Sequence, residues 1–299
     1  MPTGRYAPSP TGTLHLGNLR TALLAWLFAR STGSRLRMRV EDVDTGRSRE
    51  HFVAEQLADL AAIGLDWHGE VVRQSERGEL YAAALAALEE QGLVYPCWCT
   101  RAEIREAAAA PHGELPEGAY PGTCRELSAA QRREREASGR PAALRVRAGA
   151  AEVGVTDRVL GDVRSVVDDF VLRRSDGDWA YILAVVVDDH EQGVEEVVRG
   201  ADLLETTPRQ AWLHRTLGYG EPPAYAHVPL MLGADGARLA KRHGAVTLAD
   251  RAAQGQSADD VRAELAASVG LCRPNERPAA AELIARFAVD GLDASPVSG

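Results

Sequence analysis

The sequence of 299 residues has no apolar run approaching the roughly 18 to 20 residues that span a bilayer. Its opening, Met1-Pro2-Thr3-Gly4-Arg5, lacks the apolar stretch of a secretory signal, so a cytoplasmic protein is expected. Cysteine is scarce: there are four, and in a reducing compartment they suit free thiols or metal ligands better than disulfides. A basic excess is missing as well. The 34 Lys and Arg are outnumbered by 43 Asp and Glu, and the formal net charge of −9 excludes a uniformly basic nucleic-acid-binding surface. RNA would have to be held by a local charge patch and by shape, with binding that weakens as salt rises. There is no internal repeat, and the glycine-bearing turn near the N-terminus matches neither a Walker A loop nor the Gly-rich dinucleotide fingerprint.

What is present is an ordinary globular composition, 45% hydrophobic and 26% charged, with length for about two domains. Residues 4–10 look like a short strand entering a Pro-rich turn. Leu16, Leu19, Leu23 and Leu27 recur near one helical turn, which predicts a helix over 16–30. Residues 35–40 alternate Arg with Leu36, Met38 and Val40, as a strand with one buried face would, and deliver Glu41 and Asp42 to its C-terminal end. Two βα steps in succession predict a parallel α/β sheet. Helical patterns follow at 50–63 and 76–91. From 100 to 140 charge, Ala, Pro and Gly dominate, so 95–161 is assigned to an insertion between the sheet's two halves, 1–94 and 162–247. Residues 142–147 and 166–173 look like strands. The stretch 179–187 fits a helix or a strand. Strands are expected at 194–199 and 224–232, with a helix starting at Thr207-Pro208.

Two segments suggest phosphate chemistry. In the turn from Ala7 to Asn18, Gly12 and Gly17 permit close backbone approach, His15 can donate a hydrogen bond, and the following helix offers its N-terminal amides. The competing reading, in which Gly12 makes a turn and His15 caps a helix, is equally good for that motif alone. The basic run Arg238-Leu239-Ala240-Lys241-Arg242-His243 follows a Gly turn. Such a run is usually a solvated loop, but a lysine there can follow charge developing on a leaving pyrophosphate.

Taken in order, Arg5-Tyr6-Ala7-Pro8-Ser9-Pro10-Thr11-Gly12 with His15-Leu16-Gly17-Asn18 resembles the HIGH-containing opening of the class I glutamyl and glutaminyl synthetases. Arg238-Leu239-Ala240-Lys241-Arg242 resembles their KMSKS loop. Val40-Glu41-Asp42-Val43-Asp44 and Val197-Val198-Arg199-Gly200-Ala201-Asp202 match between them. The resemblance implies a Rossmann-like α/β catalytic domain that joins glutamate to ATP as glutamyl-adenylate. It assigns Arg5 and Arg199 to the amino acid's carboxylates, Glu41 to its ammonium, Ser9 and Tyr181 to the same pocket, and Gly12, His15, Gly17, Asn18, Arg238 and Lys241 to ATP, with His15 and Lys241 in the catalytic step. Each has a plainer alternative: Glu41 a helix cap, Arg199 a surface ion pair, Tyr181 a core aromatic. Asn18 stands for the second His of HIGH; Arg238 and Ala240 stand for the first Lys and the Ser of KMSKS. Mg²⁺ is expected with ATP, held by phosphates and water. The acidic string Asp188-Asp189-His190-Glu191 is assigned to a solvated turn rather than a metal site.

Cys97-Trp98-Cys99 and Tyr120-Pro121-Gly122-Thr123-Cys124 supply three thiols of the type that favours zinc, against the alternative of three buried free thiols. The short glutamyl-Q branch of the same family, which this stretch resembles, completes the site with a tyrosine. Tyr120 fits that role, with His112 as the alternative fourth ligand of a structural Zn²⁺; Cys272 is isolated. After the KMSKS-like loop only 248–299 remain, a short helical tail with helices expected at 258–269 and 279–287 and without room for an anticodon-reading domain. The resemblance therefore implies tRNA-independent activation of L-glutamate and its transfer to queuosine in the anticodon loop of tRNA(Asp). A short synthetase that charges a tRNA 3′ end, or an inactive zinc-bearing RNA-binding module, are the alternatives.

Overall fold

The structure is a computed structural model and describes residues 2–108, 119–233, 235, 236, 239, 244, 246–289, 292, 297 and 298. Thr3–Tyr6 (β1) leads through the proline turn into Leu16–Ser31 (α1), and Arg35–Val40 (β2), Glu50–Ala62 (α2), Val72–Arg73 (β3) and Gly78–Glu90 (α3) follow. Next come Val94–Cys97 (β4), Arg101–Ala108 (α4), Ala129–Ala137 (α5), Ala143–Val146 (β5), Ala151–Asp157 (β6), Gly161–Val167 (β7) and Val171–Arg173 (β8). The chain continues through Tyr181–Glu191 (α6), Glu196–Gly200 (β9), Thr207–Thr216 (α7), Ala224–Val228 (β10) and Met231–Leu232 (β11). It ends with Leu248–Ala253 (α8), Ala258–Ala267 (α9), Ala280–Arg286 (α10) and Val297–Ser298 (β12).

The main sheet has the order β3-β2-β1-β9-β10-β6-β7, and all neighbours are parallel except the β6/β7 hairpin. This is the largely parallel α/β sheet expected from the sequence, with helices gathered at the C-terminal end. A separate antiparallel sheet, β4-β5-β8, carries Cys97 at the end of β4. Within the stretch 95–161, β6 pairs into the main sheet through Asp157 and Tyr225, whereas β8, beyond it, completes the small sheet. The two sheets are thus laced together by alternating strands.

Strand register sorts the sheet into two faces. Residues paired in a parallel ladder point the same way, and side chains alternate along each strand. Met38, Val198, Ala226 and Val228 therefore share one face and pack in the same core cluster as α1. That helix is buried almost all round, from Leu16 and Leu19 through the run Ala22 to Ala29, because the sheet covers one side and α9 and α10 cover the other; Phe28 and Phe287 rings meet at 5.2 Å. The opposite face carries Arg5, Arg39, Arg199 and His227, all buried. The alternation in β2 predicts a single buried face, but Arg39 is fully buried on the other.

What covers Arg39 is α6. Residues 182–187 are rich in β-branched side chains, which leaves helix and strand balanced by propensity, and burial between neighbouring elements decides for helix. The Asp188-to-Glu191 string is consequently not a solvated turn: it is the last turn of α6, and Asp188 and Asp189 are buried against arginines. Among the described residues no helix is long and apolar enough to cross a membrane.

Leu23, with no exposed surface in the middle of α1, tests how much the fold depends on this helix. Leu23→Ala should lower unfolding stability by about 2 to 5 kcal/mol in a urea titration, and a change below about 1 kcal/mol would mean that the tail helices do not seal the core.

Candidate functional site at the strand ends

The turn after β1 is held by a side chain that the sequence motifs do not announce. Gln56 of α2 donates from Nε2 to Ser9 O (3.1 Å) and Gly12 O (2.7 Å), fixing both ends of the loop. His15 and Asn18 then cap α1 reciprocally: His15 Nδ1 accepts from Asn18 N at 3.3 Å, and Asn18 Oδ1 accepts from His15 N at 3.2 Å. A Cβ on Gly17 would sit 3.0 Å from the His15 ring, so glycine there is a condition for the ring's position. The cap uses His15 Nδ1, and of the first-turn amides Leu16 N already donates to Val246 O and Asn18 N to His15 O, while Gly17 lines the cavity. No acidic residue occupies that turn, which keeps the helix's positive end available to an anion.

A cavity of about 530 Å³ opens between this turn and the C-terminal ends of β1, β2 and β9. It brings together every described residue assigned to substrate: Arg5, Ser9, Glu41, Tyr181 and Arg199 together with Gly12, His15, Gly17 and Asn18. Ligand crevices in parallel α/β sheets form at such strand ends. Arg238 and Lys241 lie outside the described residues, as does His112.

Behind the cavity floor lies a charge network. Arg39 donates from Nη1 to Asp189 Oδ1 (2.8 Å) and Gln192 Oε1 (2.9 Å), and from Nη2 to Glu41 Oε1 (3.2 Å). Asp189 Oδ1 also accepts from Arg5 Nε at 3.4 Å. Asp188 completes the cluster, accepting from Gln74 (2.7 Å), Tyr81 (2.8 Å) and Arg77. Burial is the strongest influence on each group. On Arg39 it is overturned by Asp189, Glu41 and Asp188, so the guanidinium is held charged. On Asp189 it is overturned by Arg39 and Arg5, so its carboxyl falls below the ordinary range. On Glu41 burial wins: its carboxyl is raised despite Arg39 and Arg5, with Asp189 adding to the rise. An ammonium group placed beside Glu41 would act against that rise. Tyr181 is also raised, by burial first and then by Glu41.

Arg199 is gripped along its whole head. It donates from Nη1 to Gln210 Oε1 (2.8 Å) and, at 3.5 Å, to Tyr181 Oη; from Nη2 to Thr207 Oγ1 (2.7 Å); and from Nε to His227 Nε2 (3.0 Å). A surface ion pair is therefore excluded for Arg199, and Tyr181 touches the arginine while also packing against the core.

The second cluster sits on the small sheet. Cys97, Cys99 and Cys124 bring their sulfurs within 4.8 Å of one another, Cys99 and Cys124 being 3.5 Å apart. Tyr120 Oη lies 3.3 Å from Cys97 Sγ and 3.8 Å from Cys99 Sγ, and accepts from Cys124 N at 2.8 Å. Ligands about 2.3 Å from a tetrahedral ion would be spaced by about 3.5 to 3.8 Å, a spacing that the Cys99–Cys124 pair meets, so the three-cysteine cluster could hold a metal ion. Burial pushes the Cys99 thiol up to about 12, with nearby Cys97 adding to it; burial also acts against the Cys97 thiolate, but Tyr120, the Cys99 amide and Arg145 together bring Cys97 below its ordinary value. Arg145 stacks 3.8 Å over the Tyr120 ring. Cys272 is elsewhere, donating to Ala263 O.

The family described as tRNA synthetases class I (E and Q), catalytic domain, matches residues 3–284. The chain belongs to this family. It is 61% identical over 284 residues to the glutamyl-Q tRNA(Asp) synthetase of Nocardia farcinica, covering 95% of this chain and 88% of that one. It is 50% identical over 307 residues to the glutamyl-Q tRNA(Asp) synthetase of Symbiobacterium thermophilum, covering 98% and 94%. Among solved structures, a glutamate tRNA ligase from Elizabethkingia meningosepticum in complex with its amino acid superposes with a TM-score of 0.84 at 24% identity, over 99% of this chain and 66% of that one, which is a likeness of fold. The chain is thus an aminoacyl-tRNA synthetase-like ligase.

Asp189→Asn should leave Arg39 and Arg5 without their shared partner and lower stability by about 3 to 5 kcal/mol at neutral pH, read by urea unfolding. The folded carboxyl lies below its ordinary value of 3.8, so the wild type keeps this contribution above that value and loses it as pH falls through the folded one. The variant's stability should accordingly fall less steeply in acid; an unchanged acid profile would contradict the network.

Proposed function

We propose that this chain activates L-glutamate with ATP, without tRNA, and transfers the glutamate to queuosine in the anticodon loop of tRNA(Asp). The observation that carries the reading is the cavity itself: two buried arginines and a buried glutamate meet beside the positive end of α1, the complement of a dicarboxylic amino acid next to a polyphosphate. The names of the relatives that match most of the chain supply the acceptor, tRNA(Asp).

In this reading the glutamate α-carboxylate attacks the α-phosphate of ATP, forming the acyl-phosphate bond of glutamyl-adenylate as the bond to pyrophosphate breaks. The step needs placement and charge stabilisation more than proton transfer. Arg5 and Arg199 hold the carboxylates, since a guanidinium fork matches carboxylate geometry. Glu41 takes the ammonium, and Ser9 and Tyr181 complete that end. The α1 amides with Gly12, His15, Gly17 and Asn18 face the nucleotide, and Lys241 with Arg238 is assigned to the phosphates by its motif. Mg²⁺ accompanies ATP. Zn²⁺ is the ion assigned to Cys97, Cys99, Tyr120 and Cys124, where it would fasten the segment to the small sheet. The catalytic halves are assigned to 1–94 and 162–247, the zinc-bearing insertion to 95–161, the helical tail to 248–299, and the location to the cytoplasm.

Glutamate-dependent ATP–pyrophosphate exchange without tRNA should be measurable, followed by transfer of labelled glutamate to queuosine-containing but not queuosine-free tRNA(Asp). Exchange that requires tRNA(Glu), or transfer to a tRNA 3′ end, would replace this reading with that of a short charging synthetase. Native mass spectrometry should find one zinc per wild-type chain and none in Cys124→Ser; a metal-free wild type grown with zinc would remove the ion from the account.

A further inference from the structure

Arg199 has a support that no motif announces, and it runs through three adjacent strands. His227 of β10 is the register partner of Arg199 on β9, and both point to the charged face of the sheet. Its Nε2 accepts from Arg199 Nε at 3.0 Å and lies 3.1 Å from Thr207 Oγ1. On its far side, Nδ1 is 2.6 Å from Asp157 Oδ2, on the last residue of β6. Asp157 is itself fixed, by the His227 amide at 3.1 Å and by the Val159 and Leu160 amides at 3.0 and 2.9 Å. His227 has no exposed surface, Asp157 is 2% exposed and Arg199 4%.

This geometry fixes the histidine's protonation. A guanidinium Nε always donates, so His227 Nε2 must carry a lone pair, and its single proton must sit on Nδ1 facing the Asp157 carboxylate. Asp157 selects that tautomer, as the carboxylate behind a catalytic histidine does elsewhere. Burial, the largest influence, and the Arg199 charge both favour the neutral ring, against the pull of Asp157.

We propose that Asp157 and His227 are positioning residues for amino-acid recognition: the carboxylate sets the imidazole tautomer, and the imidazole holds the Arg199 fork in the cavity. The inference rests on the proposed assignment of Arg199 to a glutamate carboxylate. Neither residue lines the cavity, so neither touches the substrate. In Asp157→Asn the Oδ1 acceptor is kept for the Val159 and Leu160 amides, which turns the carboxamide NH₂ towards His227 Nδ1. The ring is then driven to the other tautomer, and an N–H faces Arg199 instead of a lone pair.

The test uses the full chain as wild type, Asp157→Asn, His227→Phe and His227→Gln, with glutamate Kd from titration calorimetry and KM for glutamate and for ATP from pyrophosphate exchange. Asp157→Asn and His227→Phe should each raise the glutamate constants by about tenfold or more with the ATP KM within about twofold, and His227→Gln, whose carbonyl can accept from Arg199, should recover part of the loss. Should His227→Phe fail to fold, the near-isosteric Asp157→Asn and His227→Gln carry the comparison. Unchanged glutamate constants in folded Asp157→Asn would overturn the inference, as would glutamate and ATP constants that rise together. A wild type that binds glutamate but does not catalyse exchange would sink the proposed activity and leave the Kd ratios to decide the inference. A wild type that binds no glutamate would sink both.

Discussion

Arg39 is a full positive charge with no exposure to water, and such a group is tolerated only where its donors are met by carboxylates. Asp189 and Glu41 meet them, and the same Asp189 oxygen also holds Arg5. The cavity residues Arg5 on β1 and Glu41 after β2 are therefore tied to one buried cation. The third carboxylate, Asp188, anchors α6 to α3 and the residues before it through Tyr81, Gln74 and Arg77. The position of α6, and with it Tyr181 at its first turn, follows from neutralising Arg39.

The two faces of the sheet divide the work. Against α1 lies a largely apolar face, and that contact is sealed from behind by α9 and α10, so the tail contributes to the same core as the N-terminal strand. The opposite face carries its buried charges in hydrogen-bonded rows: Arg5 and Arg39 towards α6, Arg199 and His227 towards α7. A cavity whose floor is built this way has its charges fixed before a ligand arrives, which reduces the ordering that binding would otherwise require.

The thiol cluster is joined to this arrangement by one carboxylate. Asp168, at the crossover from β7 to β8, accepts from the Tyr120 amide at 2.9 Å and from Arg209 Nε of α7 at 2.6 Å. The neighbouring Asp169 accepts from Tyr95 Oη, Arg125 and the Ala148 amide. Helix α7 carries Thr207 and Gln210, both of which hold Arg199. The small sheet and the cavity are thus two ends of one hydrogen-bonded frame, which the lacing of β6 and β8 between the sheets already implies.

Local pattern was enough for much of this protein. The heptad-like leucines of α1, the alternation of β2, the Pro at the start of α7 and the clustered cysteines act over a few residues, so their physical consequences are written in spacing alone. The motif residues Arg5, Glu41 and Arg199 were legible as a set, and the cavity unites them. The pairings of Arg39 with Asp189, Gln56 with Gly12, Asp157 with His227 and His227 with Arg199 were not, since the partners lie 150, 44, 70 and 28 residues apart. Asp188 and Asp189 looked like a solvated turn because adjacent residues on a strand or loop point in different directions. Only the fold sets them opposite Arg39, by the register of parallel strands and the packing of α6, and a pairing of buried charges across distant strands leaves no trace in local periodicity.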